Sequence, residues 1–290
     1  MKFKRYKPHP IPTVHPIWEY KATGELYETY EAYKKRLQIP WVGVVTMAYA
    51  HYAETFKVWW EALAPIVATQ DYVDQAMALR EKVETAIESL DPPPIRNRLL
   101  EIGYTTRELD EIIDMMDVIT HGNFMQVAAV FLLPMALEGI EPGSFKKMSP
   151  KAAAHGPKVQ TPFVLVEPHH ALQDVQEIYS DIKETLGLPF VNTDYRCFAR
   201  WPSYFTRAWT DLRPALETTS YDSLVNDMHN AIVETAVSMP NPTGVRAKDL
   251  ITAANKDASL EEVLNTTRLF AWLLPGLVTN VAFFRAQLLK

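Results

Sequence analysis

Residues 189–202 read Pro189-Phe190-Val191-Asn192-Thr193-Asp194-Tyr195-Arg196-Cys197-Phe198-Ala199-Arg200-Trp201-Pro202. The stretch follows an amphipathic run and opens a new helix. It sets a carboxylate, Asp194, where the pattern calls for an apolar side chain. That pattern comes from elsewhere in the chain: residues 26–66 lie over residues 175–215 without a gap, at a constant offset of 149. Identities fall at Glu28/Glu177, Tyr30/Tyr179, Lys34/Lys183, Leu37/Leu186 and Pro40/Pro189, then at Ala50/Ala199, Phe56/Phe205, Trp60/Trp209 and Pro65/Pro214. Self-similarity at a fixed offset signals duplicated architecture, here two copies forming a pseudo-dimer. In this register Asp194 stands opposite Val45, in the apolar run Trp41-Val42-Gly43-Val44-Val45. A carboxylate in such a place is expensive to desolvate unless it has partners or a task. The plainer reading is an aspartate favoured by the first turn of a helix.

Helical periodicity dominates on both sides of the repeat. Leu26, Tyr30, Tyr33 and Leu37 make one stripe, and Leu109, Ile112, Ile113 and Met116 another. Proline clusters punctuate the chain at Asp91-Pro92-Pro93-Pro94 and at Pro240 and Pro242. The fold class is therefore all-α: two tandem helical repeats packed face to face, with the site between them. The organisation read from the chain is an extended N-terminal arm (1–22), helical repeat 1 (23–138), a connecting segment (139–171) and helical repeat 2 (172–290). Residues 163–166 read as briefly extended.

A second polar interruption falls at His121-Gly122-Asn123, inside an apolar segment. Overlaying Leu109 on Leu260, an offset of 151, puts Asn123 opposite Leu274. The two copies thus differ in complementary fashion, with Asn123 polar in the first and Asp194 polar in the second. Gly122 permits the close approach of a backbone or ligand. An asparagine that satisfies a kinked helix is the plain alternative.

Composition narrows the class. The 290 residues carry 29 Lys+Arg against 35 Asp+Glu, a net charge of −6, with no long basic stripe, which argues against nucleic acid as a partner. Lys2, Lys4, Arg5 and Lys7 read as a frayed, solvated basic tail, and no apolar leader follows them. The apolar runs 127–137 and 269–278 are too short for a bilayer and read as buried core. The single cysteine, Cys197, excludes an internal disulfide and fits a reducing cytoplasm. There is no glycine-rich phosphate loop, no Gly-x-Ser-x-Gly elbow and no His-Glu-x-x-His. His169-His170 follow Pro168 in a loop and do not read as metal ligands. No metal or cofactor is expected.

These residues together resemble the group I 2-haloacid dehalogenases, a helical family of DL- and D-specific enzymes. The resemblance rests on the Leu-x-x-x-Tyr-Glu run before Pro40-Trp41-Val42, on Gly122-Asn123, and on Asp194-Tyr195 followed by Trp201-Pro202. It implies a cofactor-free hydrolysis of short 2-halocarboxylic acids to 2-hydroxy acids, with inversion at carbon 2, in an enzyme often assembled as a homodimer. By the same resemblance Asp194 matches the base that activates water without an ester intermediate, Asn123 its partner, and Trp41 a pocket aromatic. Val44, Asn192, Thr193 and Trp272 complete the candidate substrate contacts. Asn192, bulkier than the small residue found two before the aspartate in enzymes that take both enantiomers, leans toward the D form.

The chain also departs from the family. His121-Gly122-Asn123-Phe124-Met125-Gln126 replaces Tyr-Gly-Asn-Pro-Lys-Tyr, and Phe190-Val191-Asn192-Thr193 replaces a Gly-Pro-x-Ser. The departures motivate two alternatives: a diverged helical binding protein without turnover, or a hydrolase of another small carboxylic acid. Helix N-terminal amides near 193–196 are candidate donors to the substrate carboxylate, while Arg196 reads as a surface residue.

Overall fold

The computed structural model describes residues 3–144 and 146–290. Among the described residues the regular structure is twelve α-helices and three short 3-10 turns, with two isolated β-bridges, Thr69 to Lys151 and Ser144 to Pro240. Residues 163–166 form no strand; the Val166 amide instead donates to the Arg196 carbonyl at 2.9 Å.

The helices are α1 (Gly24–Leu37), α2 (Val44–Tyr49), α3 (Ala53–Leu63), α4 (Gln70–Ala86), α5 (Arg96–Glu101) and α6 (Thr106–Leu137), then α7 (Gln173–Leu186), α8 (Thr193–Phe198), α9 (Pro202–Leu212), α10 (Thr219–Ser238), α11 (Ala247–Asp257) and α12 (Leu260–Leu289). Helices α1, α2 and α3 have 14, 6 and 11 residues, and so do α7, α8 and α9. The two triplets begin 149 residues apart, at Gly24 and Gln173. α6 and α12 begin 154 apart, at Thr106 and Leu260. That register aligns Gly122 with Gly276, Val127 with Val281 and Ala128 with Ala282. It moves the partner of Asn123 from Leu274 to Leu277.

Contacts divide the chain into two compact units. The first is Met1–Glu81, His121–Gly156 and Asn226–Gly276; the second is Lys82–Thr120, Pro157–Val225 and Leu277–Lys290. Each unit draws on both halves of the sequence, and four of the five borders fall inside α4, α6, α10 and α12.

In the first unit, α1 buries Tyr30, Tyr33 and Leu37, the side of the helix that the 3.6-residue stripe marks as apolar. α3 packs on α11, and Asp257 caps α3 by accepting from the amides of Glu54 and Thr55 at 3.0 and 2.8 Å. Pro134 lies inside α6 and cannot donate to the Val130 carbonyl; the Tyr49 hydroxyl donates to that carbonyl at 3.4 Å.

The N-terminal tail is not frayed. Phe3 is 3 % exposed, stacked on His229 and edge-on to Phe131. Arg5 Nε donates to the Trp272 carbonyl at 3.1 Å, three residues before Pro275 inside α12. The cations of Arg5 and Lys7 lie over the Trp272 ring. Of the basic residues, Lys2 lies outside the described residues and Lys4 is exposed. An aromatic anchor at Phe3 and a ring for the cations hold the segment that composition alone marks as solvated.

In the second unit, α7 and α8 both pack on α9. Tyr195 and Phe198 of α8 meet Phe284 of α12 edge-on. Arg285 pairs with Glu84 at 2.9 Å and Asp117 at 3.1 Å. Helices α6 and α12 are each long and apolar enough to cross a membrane by length and composition, unlike the shorter runs read from sequence. Their most apolar windows are 94 % and 83 % buried within the protein.

Candidate active site

Asp194 sits at the second position of α8 and is 4 % exposed. Pro189 cannot continue α7, and the chain turns through Val191 and Asn192 into α8. Asn192 is the N-cap, with extended backbone (φ −63°, ψ 155°), and its side chain makes no capping bond. Its Oδ1 is buried and has no hydrogen-bond partner among the described residues. Thr193 is buried beside it. Three of the sequence-read site residues, Asn192, Thr193 and Asp194, are thus brought to one buried helix start.

Three neighbours tune this segment. Tyr195 is fully buried among Phe205, Trp209 and Phe284. Its hydroxyl accepts from Asn280 Nδ2 at 2.8 Å, and Asn280 Oδ1 accepts from the Tyr221 hydroxyl at 2.7 Å. Arg196, read from sequence as a surface residue, is 5 % exposed and pairs with Glu167 at 2.6 Å. A carboxylate partner makes burial of a guanidinium tolerable, and the sequence shows no sign of it because the two residues lie 29 apart. Burial, with the Asp194 charge adding to it, pushes the Cys197 thiol up to about 12. The thiolate is therefore suppressed at neutral pH, which removes Cys197 as a nucleophile.

The remaining candidates belong to the first unit. Trp41 is 5 % exposed and lies against Gly122. A Cβ built on Gly122 would come within 2.1 Å of the Trp41 ring, so only glycine leaves room for the indole. Asn123 follows on α6, half-buried. Val44 opens α2 and is half-buried, whereas Val45, opposite Asp194 in the repeat, is 6 % exposed. Trp272 is half-buried beneath Arg5 and Lys7.

Behind Trp41 lies an amide that sequence reading missed. Gln126 Oε1 accepts from the Gly43 amide at 3.1 Å and from the Tyr33 hydroxyl at 3.2 Å; Thr46 donates to that same hydroxyl at 3.1 Å. Gln126 Nε2 donates to the Gly122 carbonyl at 3.0 Å. A Cβ on Gly43 would stand 2.6 Å from Gln126 Oε1, so the glycine admits the amide. The signal was available: Gly122-x-x-x-Gln126 and Gly276-x-x-x-Asn280 both place an amide four residues after a glycine in an apolar helix.

His121 is 3 % exposed, its ring 5.2 Å from that of His155. The His155 and Gly156 amides both donate to Gln38 Oε1 at 2.9 Å, which holds this loop in place. Burial first, then the neighbouring His155 and Arg80, lower the His121 pKa to about 4. Among the described residues no group of three or more His, Cys, Asp or Glu is placed to hold a metal ion.

No protein-family model matches the chain. Individual relatives do. The chain is 37 % identical over 253 residues, covering 86 % of it and 96 % of the relative, to an (R)-2-haloacid dehalogenase of Rhizobium sp. (strain NHG3). It is 33 % identical over 284 residues, 96 % of it and 93 % of the relative, to an (R)-2-haloacid dehalogenase of Pseudomonas putida. A configuration-inverting 2-haloacid dehalogenase of Pseudomonas sp. (strain 113) is 24 % identical over 238 residues, covering 80 % of this chain and 77 % of that one. Among solved structures, a complex of a D-2-haloacid dehalogenase mutant with D-2-CPA superposes with a TM-score of 0.87 at 30 % identity, covering 97 % and 98 % of the two chains. A complex of D-2-haloacid dehalogenase with L-LA gives 0.86 at 30 % identity, covering 99 % and 100 %.

Proposed function

The chain belongs to the 2-haloacid dehalogenase family, and from that premise we propose the way it works: Asp194 takes a proton from water as that water attacks carbon 2. The enzyme is a hydrolase of carbon–halide bonds, converting D-2-haloalkanoic acids to 2-hydroxy acids with inversion. The balance is simple. Water oxygen bonds to carbon 2, halide leaves with the bonding pair, and the water proton passes to the carboxylate and then to solvent. Water is too weak a nucleophile unless a base removes its proton as the new bond forms. One observation carries the assignment. Asp194 is buried in the first turn of α8, two residues after an asparagine whose buried Oδ1 has no partner among the described residues. A carboxylate and an acceptor oxygen at one dry helix start suit a single ordered water, which supplies two protons. Cys197 is no competitor, since its thiolate is suppressed.

The family resemblance assigns Asn123 to orienting the water and Trp41, Val44, Asn192, Thr193 and Trp272 to the substrate. Asn123→Ala and Trp41→Phe test those assignments separately. The chain is also proposed to work as a cytoplasmic homodimer without a cofactor.

Halide release from D- and L-2-chloropropionate is the first assay, with D-lactate or L-lactate as the product read by chirality. The expected result is L-lactate from the D substrate, with the L substrate turned over far more slowly. No halide from either enantiomer, combined with thermal stabilisation by the acids, would instead support the binding protein. In a single turnover in oxygen-18 water the label should enter product and not the enzyme; label in Asp194 would mean an ester. Asp194→Asn should remove activity while the helical circular dichroism stays unchanged.

A further inference from the structure

We infer that Asn280 is a positioning residue for this reaction, holding Asp194 in its working orientation through Tyr195. The inference rests on the reading of Asp194 as the base. Helix α8 has six residues, too short to be rigid by itself, so neighbouring elements must set its direction. Tyr195 follows Asp194 directly and is the anchor: it is fully buried, with Phe205, Trp209 and Phe284 around its ring. Apolar packing limits where the ring sits but leaves the helix free to roll or slide by fractions of an ångström. The hydroxyl removes that freedom, because it accepts from Asn280 Nδ2 at 2.8 Å.

Asn280 is itself held. It is 1 % exposed within α12, and its Oδ1 accepts from the Tyr221 hydroxyl of α10 at 2.7 Å. Both ends of the amide are bonded, and because a phenol hydroxyl can donate or accept, either orientation of the amide keeps the link to Tyr195. One side chain thereby ties α8, α10 and α12 together next to the base. An amide buried in an apolar helix is costly unless bonded, and this one is bonded through both its oxygen and its nitrogen. The Asp194 charge also reaches Tyr195, adding to the burial that raises the phenol pKa.

The test is steady-state kinetics on D-2-chloropropionate with thermal melting for Asn280→Leu, Tyr195→Phe, Tyr221→Phe and the Asn280→Leu/Tyr195→Phe double variant. Misplacing a reacting group by less than an ångström costs rate rather than affinity. Asn280→Leu is therefore expected to lower kcat about 10- to 100-fold per folded molecule while KM stays within about threefold. Tyr195→Phe should do the same, and the double variant should be no worse than the poorer single, since both remove one link. Tyr221→Phe keeps the link and should lose only about threefold. Should Asn280→Leu fail to fold, Tyr195→Phe decides alone, because it deletes one hydroxyl and leaves the ring packed. Unchanged kcat per folded molecule, or a loss carried by KM, overturns the inference. Asp194→Asn separates the two readings: if that variant keeps full activity the base assignment fails, whereas an inactive Asp194→Asn beside a fully active Asn280→Leu and Tyr195→Phe sinks only the role of Asn280.

Discussion

Helices α2 and α8 each follow a helix of 14 residues, span six, and precede a helix of 11. At the second position one holds Val45 and the other Asp194, both nearly out of solvent. Their surroundings differ to match. Beside α2 the cap is Gly43, which leaves room for Gln126 to reach the cap amide and the Tyr33 hydroxyl of α1. Beside α8 the cap is Asn192, and the corresponding amide, Asn280, is one carbon shorter. It bonds two tyrosine hydroxyls, one of them on α8 itself. The same scaffold thus sets a valine beside a bonded amide at one helix start and a carboxylate beside a buried acceptor oxygen at the other. Bonding serves stability at the first, and the second is where the proposed chemistry lies.

Exchanging residues across that comparison breaks it most directly. Asp194→Val gives α8 the side chain of its counterpart. It should cost about a thousandfold or more in halide release, the scale of losing a general base, while the melting temperature holds or rises because a buried carboxylate has gone. Val45→Asp is the reverse and confers no activity. It places a charge in a site whose hydrogen bonds are already taken and should destabilise by about 3 kcal/mol or more in urea unfolding.

Gly122→Ala probes the packing of Trp41 at the first helix start. Its methyl would meet the Trp41 ring, so a cost of about 1–3 kcal/mol and a displaced indole are expected, read by melting and by tryptophan fluorescence. The smallest effect concerns pH. The His121 pKa falls from its ordinary 6.5 to about 4 on folding, so the native state binds fewer protons than the unfolded one in that window. Stability is complete above about 6.5 and is lost progressively as pH falls toward 4. His121→Phe should flatten that slope in melting curves taken across the window, with little change at pH 8.

Some of this was legible in the residues. The gapless offset of 149 between residues 26–66 and 175–215 marked two related stretches, which fold as helix triplets of equal lengths, and the Val45/Asp194 contrast singled out one carboxylate. Long helices were harder. α4 and α10 start 149 apart but have 17 and 20 residues, and α5 and α11 start 151 apart with 6 and 11, so the offset reaches 154 by α6 and α12. An alignment on leucines alone therefore placed Asn123 three residues off and hid the Gln126/Asn280 pair. Arg196 and the N-terminal arm were misread for a related reason. A charged side chain looks solvated until its partner is known, and Glu167 and Trp272 lie far away in sequence.

Periodicity and proline placement, which act over one or two turns, determined by themselves that this chain is helical, where the helices break, and which aspartate stands out. The tertiary structure alone decided which polar groups share hydrogen bonds, because such a bond depends on an ångström-scale meeting of side chains from different helices, and no local pattern encodes that distance. Hence Asp194 could be found by reading along the chain, and the spacing from Gly276 marks Asn280, but its bond to Tyr195 shows only in the tertiary structure.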